Sequence, residues 1–262
     1  MSVLSYLDKL ASLLNVAERE SVNITRSIDT LYIRLGMYFN NGELKERFRF
    51  GSSVRRTMLP RNADFNSDVD YMVVFDNVVG YKPQTLISRL KRFAEFYYST
   101  SEIYQSSPTV VLVLGHIKFD LVPSYRSWSS LHIPAPRTSY TDWMETDPLS
   151  FNTTIEQANK NAKFLLKPMI RLLKYWNATN GYIYESYALE QKMANASFSY
   201  FCNSLKDYFF SAIDSFSTWD LPEYKRQKVE RAKQIVNKVR QYEQDGLTIS
   251  AESEIKKLLP EL

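Results

Sequence analysis

The stretch FGSSVRRTMLPRNADFNSDVD, Phe50–Asp70, decides how this chain is read. It opens on Gly51-Ser52, runs through a polar, turn-rich segment, and closes on Asp68-Val69-Asp70. The residues that follow, Tyr71-Met72-Val73-Val74-Phe75, are β-branched, aromatic and apolar, which predicts a buried strand. In a strand, residues two apart share a face, with Cα atoms roughly 6.5 Å apart. Asp68 and Asp70 therefore point the same way at the start of the strand, and Val69 points the other way. Two short carboxylates on one face repel unless a cation lies between them. One or two Mg²⁺ ions suit that place, because hard cations take carboxylate oxygens and leave room for phosphate. Upstream, Gly51 allows close backbone approach to a phosphate, and Ser52 offers hydroxyl and N–H donors. The plainer alternative is a solvated turn beside an unrelated Gly-Ser. A third acid on a neighbouring strand would decide between them.

Working outward, residues 82–98 carry Leu86, Ile87, Leu90, Phe93, Ala94 and Tyr97 at steps that predict a helix. After Pro108, the run Val110–Leu114 predicts a strand. Gly115-His116 predicts a tight turn, and Ile117–Val122 a hairpin partner. In that partner Lys118, Asp120 and Val122 share one face. A charged residue between Phe119 and Leu121 is costly to bury without a partner. Either Asp120 is the third acid, its strand lying beside Asp68–Phe75, or it is exposed on an edge strand near Lys118. Upstream, Leu4–Leu14 predicts a short helix. A longer helix opens at Asn23–Arg26 and stops at Asn40-Asn41-Gly42. Leu44–Phe50 alternates as a strand, and Ser53–Ser67 reads as loop.

The C-terminal half reads as helical. Pro123–Pro148 is proline-punctuated and is expected to be a crossover between two subdomains, residues 1–150 and 151–262. Thr153–Trp176 is expected to be one helix kinked at Pro168. On such a helix Lys160, Lys163, Lys167, Arg171 and Lys174 fall at steps of 3, 4, 4 and 3, hence on one face. That stripe is either solvated or turned toward polyphosphate or nucleic acid. From Ala194 the pattern stays helical, with Phe198, Phe201, Leu205, Tyr208 and Phe209 as a stripe, and Pro222 opens a basic helix.

Composition excludes more than it assigns. At 262 residues, 44% hydrophobic and 24% charged, the chain has material for one large domain or two small ones. The net charge of +4 is too mild to declare a nucleic-acid binder. One cysteine, Cys202, excludes an intrachain disulfide framework and reads as a buried structural thiol. Two histidines argue against a zinc centre. No basic leader or long apolar run appears, so a cytoplasmic protein without a membrane span is expected.

Gly-Ser, then Asp-x-Asp at a strand start, then one Asp in a later hairpin strand is the order found in DNA polymerase β-like nucleotidyltransferases. FRFGSSVRRTMLP, SDVDYMVVF, IKFDLVPSY, RLLKYWN and ESYALE, in this order, resemble the bacterial CD-NTases. Those are relatives of cyclic GMP-AMP synthase and oligoadenylate synthetase, and the resemblance covers about residues 21–191. It implies an α+β fold: a polymerase β-like core with a mixed twisted sheet and flanking helices, plus a C-terminal helical subdomain. The two lobes would hold the active site in a cleft. It implies two Mg²⁺ ions, for which Mn²⁺ can substitute, on Asp68, Asp70 and Asp120. Nucleotide-binding roles would fall to Gly51, Ser52, Lys174, Ser186 and Tyr187, and to Arg55 near the donor triphosphate. In that carry-over Lys174 contacts triphosphate, Ser186 donates to phosphate and Tyr187 stacks on the base; otherwise Tyr187 is a core aromatic. NTPs, ATP among them, would be joined into a cyclic di- or trinucleotide signal, typically in anti-phage defence. A regulatory protein or a downstream effector is an expected partner, and the resemblance gives no support for a nucleic-acid activator. The same acids would also serve a template-independent transferase acting on RNA or protein, or persist in a nucleotide-binding protein without catalysis.

Overall fold

A computed structural model describes residues 2–39, 42–76, 78, 80–106, 108–135 and 142–262. The elements run α1 (Val3–Leu13), α2 (Glu18–Tyr38), β1 (Leu44–Phe50), α3 (Ser52–Arg55), β2 (Asp68–Phe75), α4 (Pro83–Tyr97) and β3 (Glu102–Ser106). They continue with β4 (Thr109–Leu114), β5 (Ile117–Ser127), β6 (Ser130–Pro134), β7 (Trp143–Thr146), α5 (Ser150–Asn161), α6 (Leu166–Thr179) and α7 (Ser186–Ala194). α8 (Leu205–Asp214), α9 (Glu223–Gln244) and α10 (Thr248–Leu258) close the chain. The architecture is α+β, with one mixed sheet and flanking helices. None of the described helices is long and apolar enough to cross a membrane.

The chain divides into two compact units. One comprises Ala17–Arg61 and Asn66–Thr153, the other Met1–Val16, Asn62–Phe65 and Thr154–Leu262. In the first, the strands lie in the order β1-β2-β5-β4-β3, with β6 on β5 and β7 on β6. β2 and β5 are parallel and every other pair is antiparallel. One sheet face, with Val69, Tyr71, Val73 and Phe75 of β2, is buried. α4 packs on β3, β4 and β5, and Phe39 links Phe75 to Phe93 through ring contacts at 5.2 and 6.0 Å. The opposite face carries Met72, Val74, Val122 and Leu131 as a small apolar cluster, with Phe48, Phe50 and Ile133 packed against it. Side-chain alternation puts Asp68 and Asp70 on that same second face.

In the second unit α1 packs on α6, α8 and α10, and α9 pairs with α10. Trp176 stacks on Phe216 at 5.6 Å and is almost wholly buried. Val229, Ala232, Ile235, Val236 and Val239 form the buried stripe of α9, at the spacing the sequence shows. Cys202 is buried.

Several expectations change. α2 begins at Glu18, before Asn23, because the polar turn Glu18-Arg19-Glu20 extends the helix without adding to its apolar stripe. Its expected stop at Asn40-Asn41 lies outside the described residues; Gly42 follows at φ 96°. Pro123–Pro148 is not simply a crossover loop, since it contains the end of β5 and all of β6 and β7. Pro123 is tolerated in β5 because antiparallel pairing passes from β4 to β6 around it: Val110↔Leu121 is the last pair with β4, and Tyr125↔His132 the first in register with β6. Residues 195–204 are not helical, and Phe201 is exposed rather than part of a stripe.

The largest correction is in the basic helix. There is no single helix kinked at Pro168: α5 ends at Asn161, Lys163 and Phe164 take φ of 51° and 64°, and α6 starts at Leu166. Pro168 then falls in the first turn of α6, where its missing N–H is harmless. The five-cation stripe is broken with it. Lys163 reaches Asn203 at 3.1 Å, Lys167 is bonded to Glu156, and Arg171 donates to the Ala11 carbonyl at 3.3 Å. Lys167, Arg171 and Lys174 are all buried.

Phe164 is largely exposed and left-handed, a conformation that penalises a side chain by about 1–2 kcal/mol. Phe164→Gly should therefore raise the melting temperature by about 2–4 °C. A helix running through this position would instead lose about 0.5 kcal/mol on the same change, so calorimetry separates the two by the sign of the shift.

Candidate active site

The parallel pairing of β2 with β5 builds the site. Its register sets Asp70 beside Asp120 and Asp68 beside Lys118. On the other side of β2, Phe50 lies opposite Asp70. Across β5, Val111 of β4 lies opposite Asp120. The three carboxylates thus share one face, at the edge of the Met72–Val74–Val122 cluster, and all three are partly buried. Asp120 is not on an edge strand: β5 has β2 on one side and β4 on the other.

Electrostatics at this point are unfavourable by construction. Asp120 Oδ1 is fully buried and has no hydrogen-bond partner. Burial, reinforced by the Asp68 charge and opposed by Lys118, pushes the Asp120 carboxyl up from 3.8 to about 6. Lys118 Nζ lies 3.2 Å from Asp68 Oδ2. Burial disfavours the lysine's charge, yet the Asp68 and Asp120 carboxylates outweigh it and hold its pKa above the ordinary value.

Gly51 is a geometric necessity. It sits at φ 74°, and a Cβ there would stand 1.8 Å from Asp70 Oδ2. The Asp70 carboxylate is therefore laid directly against the Gly51 backbone, at the mouth of the turn that opens α3. The Gly51 carbonyl accepts from the N–H groups of Val54 and Arg55, and the Ser52 carbonyl from those of Thr57 and Met58. Arg55 is 5% exposed and places its guanidinium 5.4 Å from the centre of the Phe151 ring.

Lys174, Ser186 and Tyr187 belong to the helical unit, not to the sheet unit that holds the acids. Lys174 is bonded to Glu190, and the pair is buried. Ser186 and Tyr187 form the first turn of α7, both exposed. Tyr187 is 48% exposed, so it is no core aromatic. Glu190 follows Ser186 by one helical turn, and sequence reasoning passed it over. Its signal was an acid on the buried side of ESYALE, one turn below the serine.

Among the described residues, no group of three or more His, Cys, Asp or Glu side chains is placed to hold a metal ion by itself. Mg²⁺ does not ask for one, since it is usually held by one or two carboxylates together with substrate phosphates and water. An unbonded buried carboxylate oxygen beside two more acids, with a side-chain-free backbone against one of them, fits that kind of ion.

Residues 1–159 match the SMODS family, the Second Messenger Oligonucleotide or Dinucleotide Synthetase domain. The chain belongs to this family. It is therefore a nucleotidyltransferase of the CD-NTase group. No curated protein matches its sequence. Solved structures share the fold at low identity. CdnC of E. coli MS115-1 solved with ATP has 13% identity, 97% of each chain covered and a TM-score of 0.68. The same protein in its CdnC:HORMA-deltaN complex has 14%, 92% of each chain and 0.64. CdnG of Bradyrhizobium diazoefficiens with GTP has 11%, 96% of this chain and 97% of that one, and 0.66. The STING-associated CdnE c-di-GMP synthase of Capnocytophaga granulosa has 16%, 95% and 86%, and 0.64.

The raised Asp120 pKa gives a stability prediction for metal-free protein. Because the folded state holds this proton more tightly than the unfolded chain, stability falls as pH rises from about 4 to about 6. Asp120→Asn should accordingly stabilise the CD-NTase by at most about 3 kcal/mol at pH 7.5 in chelator, and by little at pH 4. Thermal melts at the two pH values check this. A loss of stability at both would show that the Asp120 charge is satisfied in the fold.

Proposed function

We propose that this CD-NTase makes a cyclic di- or trinucleotide signal from NTPs by Mg²⁺-dependent nucleotidyl transfer at Asp68, Asp70 and Asp120. The observation that carries the reading is the convergence of Asp68, Asp70 and the unbonded Asp120 oxygen on one sheet face beside Gly51. In each transfer an acceptor hydroxyl attacks the α-phosphorus of a donor NTP, the bond to the bridging oxygen breaks, and pyrophosphate leaves. A final transfer within the linear product, the second for a dinucleotide and the third for a trinucleotide, releases its pyrophosphate and closes the ring.

Asp68, Asp70 and Asp120 would hold two Mg²⁺ ions, which when bound would neutralise the triphosphate and lower the pKa of the acceptor hydroxyl. Asp68 and Asp70 would hold both ions, and Asp120 would complete the one nearer the acceptor hydroxyl. Gly51 and Ser52 bring backbone and hydroxyl donors to the β- and γ-phosphates, with the Asp70 carboxylate fixed against Gly51. Positioning and charge carry such chemistry, with little covalent work for the protein. By resemblance Lys174 and Ser186 take the phosphate charge and Tyr187 stacks on a base. The exposed first turn of α7 leaves the last two accessible for that.

By resemblance to the bacterial CD-NTases, the signal would serve anti-phage defence. The HORMA complex of the E. coli relative supports control by a partner protein.

The test is incubation with labelled ATP, GTP, CTP and UTP plus Mg²⁺, then phosphatase treatment and chromatography, for wild type and Asp68→Ala/Asp70→Ala. A phosphatase-resistant product that falls at least about 10³-fold in the double variant is expected. Label moving onto added RNA or protein, with no small product, would contradict the cyclic-nucleotide reading.

A further inference from the structure

The register that sets Asp70 beside Asp120 also sets Lys118 beside Asp68, and so brings a positive charge into the carboxylate group itself. The Lys118 ammonium stands 3.2 Å from Asp68 Oδ2, with the two side chains 18% and 30% exposed. Lys118 also shares its sheet face with Asp120, two residues on, and both acids act on its charge. An ordinary surface pair contributes little. This one engages an oxygen of a carboxylate that the proposed chemistry needs for metal. Lysine suits a temporary hold, being a compact charge on a flexible four-carbon stem without the bidentate fork of arginine.

We propose that Lys118 is a tethered counter-ion, holding Asp68 in the nucleotide-free enzyme and yielding it to the incoming metal–nucleotide complex. The inference rests on the reading of the three acids as metal ligands. It makes binding ordered. A bare divalent ion must break the Lys118–Asp68 pair without compensation, whereas a metal–triphosphate brings anionic oxygens to which the released ammonium can turn. The lysine thus relieves repulsion among the acids before substrate arrives, and it lowers the affinity of the empty site for free metal.

The test is Mn²⁺ binding followed by electron paramagnetic resonance, with and without a non-hydrolysable ATP analogue. Wild type is compared with Lys118→Met, Lys118→Gln and Asp120→Asn. Lys45→Met, which breaks the 3.2 Å Lys45–Asp76 pair elsewhere on the sheet unit, is the control for net charge. Without nucleotide, Lys118→Met should bind Mn²⁺ about fivefold or more tighter than wild type, and Lys45→Met should not. The gap should narrow with the analogue present. Lys118→Gln, neutral and polar, gives the same comparison if the methionine variant folds poorly. Folded Lys118 variants with wild-type Mn²⁺ affinity, or an equal gain in Lys45→Met, would overturn the proposal. In that case Mn²⁺ binding by wild type and its loss in Asp120→Asn would leave the metal reading standing. No Mn²⁺ binding by wild type even with the analogue would remove both.

Discussion

The parallel pairing of β2 with β5 is the constraint on which the rest of this structure depends. A strand has a side-chain period of two, so a slip of one residue would send Asp120 to the α4 face and Phe119 to the acid face. The register is held by burial on that α4 face, where Val69, Tyr71, Phe119 and Leu121 are almost wholly enclosed. Reaching a parallel partner requires a crossover, and α4 with the β3–β4 hairpin supplies it. The apolar core therefore decides which carboxylates meet, although none of the acids belongs to it.

That arrangement places the Asp120 carboxyl where its charge opposes stability. Asp120 has a buried oxygen with no partner, and the Asp70 carboxylate leaves no room for a side chain at Gly51. The Met72–Val74–Val122 cluster lies beside the acids on the same face. Some loss of stability is the cost expected of the proposed metal–nucleotide site. Lys118 offsets part of the repulsion from within the same register.

Much of this was legible in the sequence, for local reasons. β1 and β2 follow from alternation and from a β-branched run, and Asp120 stood out because its neighbours Phe119 and Leu121 demand burial. What escaped depends on partners distant in sequence. Pro123 reads as a loop residue until it is seen where β5 exchanges β4 for β6. β3, β6 and β7 are only four or five residues long and mix polar with apolar side chains. The five-cation stripe assumed one continuous helix, and the break at Lys163-Phe164 has no glycine to announce it. Glu156 and Glu190, which hold Lys167 and Lys174, lie 11 and 16 residues away, so no local pattern pairs them. That Lys118 would face Asp68 rather than Asp120 required the register itself.

The central claim is that Asp68, Asp70 and Asp120 together form the metal–nucleotide site. The most direct test is a crystal grown with Mn²⁺ and a non-hydrolysable ATP analogue, with anomalous scattering used to locate the metal. The account predicts anomalous peaks about 2.0–2.3 Å from oxygens of these three carboxylates, with the triphosphate against Gly51 and Ser52. Metal and triphosphate bound away from Asp120 would contradict it.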